Sequence, residues 1–300
     1  MPTPRIVSSR ATSALNRRQW LGVALLPLLA TASPLQAQTE LSDLARIRAS
    51  GALKVAVYKD NAPFSDGAVT DMQGLDVALA EALARQLGLK LSLLPFDAGE
   101  NMGDDLRNMV WKGHYLGYGP ADVMLQVPAD KYLAQKNPQV MILAPYMRQS
   151  LVLVHDTRRL ASAAAPEDLK GLPLAAERGA GAASVLMGYG GGLLRTQVSI
   201  HNTGIEAAQA AVDGKAVAAF VTRAQAEAVL FRNSDAAASF RISKLNFNNG
   251  IADTGWPVAM AIKSANKELG QALEAAMKSL RDSGELLKIF QQNGLTLTAP

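Results

Sequence analysis

GLDVALAEALARQLGLKLSLLPF, residues Gly74 to Phe96, places Leu75, Leu79, Leu83 and Leu87 on one stripe at helical spacing, stops at Gly88 and resumes as an apolar run. Upstream, LKVAVY (Leu53 to Tyr58) reads as a buried strand, and Asn61, Pro63 and Gly67 mark the loop between strand and helix. Strand, helix and strand in this order predict a parallel α/β unit with a right-handed crossover. Such a unit offers ligands the carboxyl edge of its strands.

The same pattern extends in both directions. LSDLARIRASG predicts a short helix stopped at Gly51, a further helix is expected around Asp104 to Lys112, and ADVMLQV reads as the next strand. APYMRQSLVLVHD then runs extended into a second α/β unit. That unit has the short strand PLAAE, the glycine-rich ERGAGAASVLMGYGGG, strand QVSIH, helix GIEAAQAAVDG, strand AVAAFV and helix RAQAEAVLF. FRISKLNFNNGIADTGWPVAMAI reads as a return strand, and two helices with stops near Gly284 and Gly294 close the chain. The expected architecture is two α/β lobes: residues 38–145, residues 146–250, and a return segment 251–300 completing the first.

Residues 1–37 stand apart. They carry Arg5, Arg10, Arg17 and Arg18, no acid, and the apolar run WLGVALLPLLA, the composition of a secretory leader. The run is well short of the ~20 apolar residues that span a bilayer. Arg17-Arg18 before Gln19-Trp20-Leu21 also fits a twin-arginine signal, so both the general secretory and the twin-arginine routes stay open. The expected location is the periplasm, without stable membrane insertion.

Charge changes meaning once the leader is set aside. The chain has 30 basic and 26 acidic residues, and removing four leader arginines leaves 26 against 26. A near-neutral chain has no electrostatic footprint for nucleic acid. With no cysteine, the fold relies on its packed core, and thiolate chemistry is excluded.

LKVAVY, NAPFSDG, GLDVALAEALARQLG, ADVM, APYMRQSLVLV, DLKGLPLAAERG, VDGKAVAAFV and ELGQALEAAMKSLRDSGELLKIF, in that order, resemble the type 3 periplasmic solute-binding proteins. The resemblance covers almost all of the chain after the leader. It implies two lobes joined by two crossing strands that close like a hinge over a ligand. The family's amino-acid binders hold the ligand carboxylate with an arginine in a T-x-x-R turn, where this chain has VPADKY, and the amino group with an aspartate, where it has Val217 and Thr222. Asn61 replaces the usual aromatic before A-P-F. A buried ammonium or carboxylate without a partner costs several kcal/mol, so such a site should reject zwitterionic amino acids. N-x-P-F-S at Asn61 to Ser65, LRNMVWKG, VPAD and PYMRQSLVLV are more similar to the MoxJ-like branch found with quinoprotein alcohol dehydrogenases.

The resemblance and the strand ends together nominate Tyr58, Asn61, Phe64, Gln126, Asp130, Arg178, Gly179, Ala180, Gly181 and Thr222 as ligand contacts. ERGAGAASV follows a strand and opens a helix, where free N–H groups favour anions, and Arg178 could supply a cation that the first lobe lacks. Gln126 and Thr222 are neutral donors and acceptors that suit an uncharged, hydroxyl-bearing ligand. Trp111, His114, Tyr115 and Tyr118, in the glycine-rich WKGHYLGYGP, form a shaped loop that either lines the cleft or meets a partner protein. Tyr146, Arg148 and Trp256 fall where the crossings should lie and fit hinge packing.

His114, His155 and His201 are too scattered for a metal, and no hydrolase or zinc motif is present. No cofactor is expected. The leading reading is a non-enzymatic periplasmic binding protein serving a quinoprotein dehydrogenase or its cytochrome. The alternatives are the binding component of an ABC importer, with its permease as partner, for a small polar non-amino-acid solute, and a dehydratase-like enzyme on the same fold.

Overall fold

The computed structural model describes residues 41–247 and 254–300. The leader at 1–37 and the boundary between 250 and 251 lie outside the described residues. The first lobe opens with α1 (Asp43–Ser50), β1 (Ala52–Tyr58), α2 (Leu75–Gln86) and β2 (Lys90–Phe96), the unit that the leucine stripe predicts. Leu75, Leu79 and Leu83 are wholly buried beneath α2. Each contributes about 2 kcal/mol of apolar burial, which fixes the helix to the sheet.

Next come α3 (Met102–Leu106), running into a π-helical turn at Arg107–Trp111, β3 (Val123–Pro128), α4 (Lys131–Lys136) and β4 (Val140–Gln149). The sheet order is β2-β1-β3-β10-β4, with β10 at Trp256–Lys263. β1 is parallel to β2 and β3, whereas β10 is antiparallel to β3 and β4. β1, β2 and β3 therefore end at one edge.

The second lobe contains β5 (Leu151–Asp156), β6 (Leu174–Glu177), α5 (Gly181–Gly188), β7 (Val198–His201), α6 (Gly204–Val212), β8 (Ala218–Thr222), α7 (Arg223–Arg232), α8 (Ser234–Ala237) and β9 (Phe240–Ser243). Its sheet order is β7-β6-β8-β5-β9, with β6, β7 and β8 parallel. Ala207, Ala208, Ala210 and Ala211 make the buried face of α6, and their small side chains bring the helix close against the sheet. α9 (Lys267–Asp282) and α10 (Glu285–Gln292) return to the first lobe, where Leu273, Leu280 and Phe290 join its core.

The expected single return strand is two strands in different sheets: β9 closes the second lobe and β10 enters the first. β4 stays paired to β10 through Gln149, opposite Trp256, so Tyr146 and Arg148 belong to the first sheet and the crossing is the single residue Ser150 before β5. Gly255 lies so close to the Gln149 carbonyl that a β-carbon there would collide with it, and its φ of 70° is one that glycine adopts without strain. Trp256 packs against the cores of both lobes.

Candidate functional site

The carboxyl ends of the parallel strands supply the candidate site. In the first lobe, the chain leaves β1 through a tight turn in which Asn61 and Ser65 form a β-bridge and the Asn61 carbonyl accepts the Phe64 N–H at 2.8 Å. Ser65 is wholly buried and donates its hydroxyl to the Tyr58 carbonyl at 2.6 Å. The turn is thereby held rigid, with Asn61 half-buried at its start.

Four of the first-lobe candidates carry structural bonds of their own. Tyr58 packs on Phe96 with centroids 4.5 Å apart and the rings tilted by 40°, and donates its hydroxyl to Asp105 at 2.8 Å. Burial, then the Asp105 charge, raises its pKa far above the ordinary phenol value. Phe64 is 5% exposed and belongs to the lobe core. The Asp130 carboxylate accepts the Leu133 N–H at 2.7 Å as the N-cap of α4. Gln126 turns inward at φ 60° and donates its amide to Asp76 Oδ1 at 3.3 Å.

That last bond exposes a buried polar cluster. Asp76, wholly buried at the start of α2, accepts the Tyr146 hydroxyl at 3.0 Å on the same Oδ1, while Tyr146 accepts the Gln126 backbone N–H at 3.2 Å. Oδ2 has no partner. Burial pushes the carboxyl pKa up to about 7, against the lowering effect of its two donors. The cluster ties α2 to β3 and β4 where β10 loses register with both neighbours. Tyr146 is therefore a core residue of the first lobe and not a hinge surface.

In the second lobe, Arg178, Gly179, Ala180 and Gly181 leave β6 and enter α5, with Ala180 as its N-cap. Arg178, Gly179 and Gly181 are exposed at this rim, and the Arg178 N–H is held by the His201 carbonyl at the end of β7. Thr222 ends β8 and caps α7: its hydroxyl oxygen accepts the Gln225 N–H, while Gln225 Oε1 accepts the Thr222 N–H at 3.0 Å. Gln225 also donates to Glu177 at 3.0 Å. This buried glutamine thus joins the ends of β6 and β8 and brings the Arg178 loop and Thr222 onto one face. The Thr222-x-x-Gln225 spacing is the signal by which sequence could have found it.

Ile205 follows β7 at the same edge and packs against the cluster that Ala224 and Ala228 of α7 share with the first-lobe core.

The loop between α3 and β3 is rigid. His114 N–H donates to the Tyr118 carbonyl, Gly117 N–H to the His114 carbonyl and Leu116 N–H to His114 Nδ1. The His114 ring stacks on Tyr118 at 4.3 Å and 15° and touches Tyr115 at 4.3 Å. Trp111 and Tyr118 pack half-buried against the lobe core, which leaves Tyr115 86% and Leu116 67% exposed at the tip. Among the described residues, no cluster of His, Asp and Glu could hold a metal ion, and no helix is long and apolar enough to cross a membrane.

No protein-family model and no curated protein matches the chain. Solved structures do. An ancestral cationic amino acid solute-binding protein is similar over 84% of this chain and 99% of its own, at 21% identity and a TM-score of 0.66. A polar amino acid ABC uptake transporter substrate-binding protein from Streptococcus thermophilus matches over 87% and 93%, at 16% identity and 0.62. An amino acid ABC transporter substrate-binding protein from Streptococcus pneumoniae, bound to L-arginine, matches over 83% and 97%, at 23% identity and 0.56. The fold is that of the two-lobed solute-binding proteins.

Proposed function

We propose that this chain is a non-enzymatic periplasmic binding protein that takes a small, polar, uncharged solute between the carboxyl edges of its two sheets. One observation carries the ligand class: the positions at which resembling amino-acid binders hold charged anchors are here occupied by a helix-capping Asp130 and a helix-capping Thr222. Asp130 has the wrong sign for a carboxylate, and Thr222 has no charge for an ammonium. Asn61, Thr222 and the N–H groups opening α5 offer hydrogen bonds that suit hydroxyls, with Arg178 at the rim. Native mass spectrometry of protein released gently from the periplasm tests this. A co-purifying neutral polar molecule supports the reading, and a co-purifying amino acid refutes it.

A second, finer reading is favoured by the Tyr115 loop. Exposed aromatic and apolar side chains on an internally bonded loop suit a protein contact, so the chain serves a periplasmic quinoprotein dehydrogenase or its cytochrome. Replacing Tyr115 and Tyr118 by Ala should then abolish recovery of the dehydrogenase in pull-downs from periplasmic extract. Equal recovery by wild type and variant, or recovery of an importer's permease in its place, returns the chain to solute import.

A further inference from the structure

After α10, Leu295 is buried in the first-lobe core, where its N–H returns to the Phe290 carbonyl at 2.9 Å. The following residues run over the hinge, with Leu297 still packed against that core. Thr298 donates its hydroxyl to the Arg148 carbonyl at 2.7 Å and accepts the Arg148 N–H at 3.2 Å, pairing with the last turn of β4 just before the crossing. Between these two attachments, the Thr296 N–H donates across the lobe boundary to Glu227 Oε2 on α7 at 2.8 Å.

Glu227 is well placed to hold that bond. Its side chain is 10% exposed, and its other oxygen accepts Arg223 Nε at 2.7 Å. Around it, Ala224 and Ala228 of α7 are buried against the first-lobe core. Phe231 lies so close to Gly294 that no β-carbon would fit there. Beyond this patch the seam opens: a cavity of about 370 Å³ separates the Asp66 to Gly74 loop from Phe231 and Arg232. Contact between the lobes on this side is therefore concentrated where the tail meets α7.

We infer that Leu295–Thr298 is a latch laid across the hinge, anchored at Arg148 and catching the second lobe at Glu227, so that the lobes part only when the Thr296–Glu227 bond breaks. Arg148 lies in the first sheet beside the crossing at Ser150, and Glu227 lies on α7 of the second lobe. The latch rests on the reading that the two lobes can part about their crossings, and not on the identity of the solute they hold.

The absence of cysteine from the sequence makes the test direct. Lys131→Cys on α4 and Ser184→Cys on α5, both exposed, provide the two attachment points for spin labels on otherwise full-length protein. Inter-label distances are measured with no solute added. Glu227→Leu, and a chain ending at Leu295, should each raise the long-distance population about tenfold, the effect of losing one charge-assisted bond. Arg223→Gln, which leaves the Thr296 bond in place, should keep the wild-type distribution. An unchanged distribution in folded Glu227→Leu overturns the latch, as does an equal shift in Arg223→Gln. Glu227→Leu decides alone if the shortened chain fails to fold. Failure to find a solute would leave these distances, and the inference drawn from them, unaffected.

Discussion

Asp76 carries the sharpest chemistry of any single residue. Its carboxyl is wholly buried, one oxygen holds two donors and the other holds none, so the proton resides on Oδ2 when the group is neutral. The folded pKa of about 7 lies above the unfolded value of 3.8, so the native state binds the proton more tightly. The stability gained from that proton is complete below about pH 4 and is lost as the pH rises towards 7. Over that window the loss approaches about 1.4 kcal/mol per pH unit. Asp76→Asn removes the titration, so urea unfolding at pH 5, 6 and 7 should show a flatter stability profile than wild type. Equal slopes in the two proteins would mean that Asp76 is ionised throughout and that the cluster is solvated.

At the scale of elements, capping residues decide what the site can be. Asp130 stands in the turn after β3, but its oxygen is committed to the Leu133 N–H. Asp130→Ala should destabilise by about 1 kcal/mol, with most of the loss restored by Asn, as read from urea midpoints. A variant of unchanged stability would return Asp130 to the list of solute contacts. The same logic explains what sequence reveals and what it hides. The β1–α2–β2 unit is legible because leucines recur at one period across a full helix, and the strand ends nominate the rim loop at Arg178 to Gly181 and Thr222. α4 and α8 are six and four residues long, too short to carry a stripe. The Asp76, Tyr146 and Gln126 cluster unites residues 50 and 70 positions apart, and Tyr58 and Asp105 lie 47 apart, so no local pattern announces either. β9 and β10 read as one strand because pairing partners, not composition, assign them to different sheets.

Across the whole molecule, two sheets with parallel strands are joined through Ser150 and the segment leading to Trp256. Trp256 contacts both cores, Gly255 brings the crossings together, and the tail spans the same junction. On the proposed reading, this frame fixes where a solute lies, and the strand-end residues fix its chemistry. Where the resembling amino-acid binders carry charged anchors, the proposed site has the helix caps Asp130 and Thr222, with Arg178 at its rim. Titration calorimetry of the protein against the common amino acids, L-arginine included, tests this most directly. The account predicts no measurable heat of binding from any of them; a micromolar Kd for any α-amino acid would contradict it.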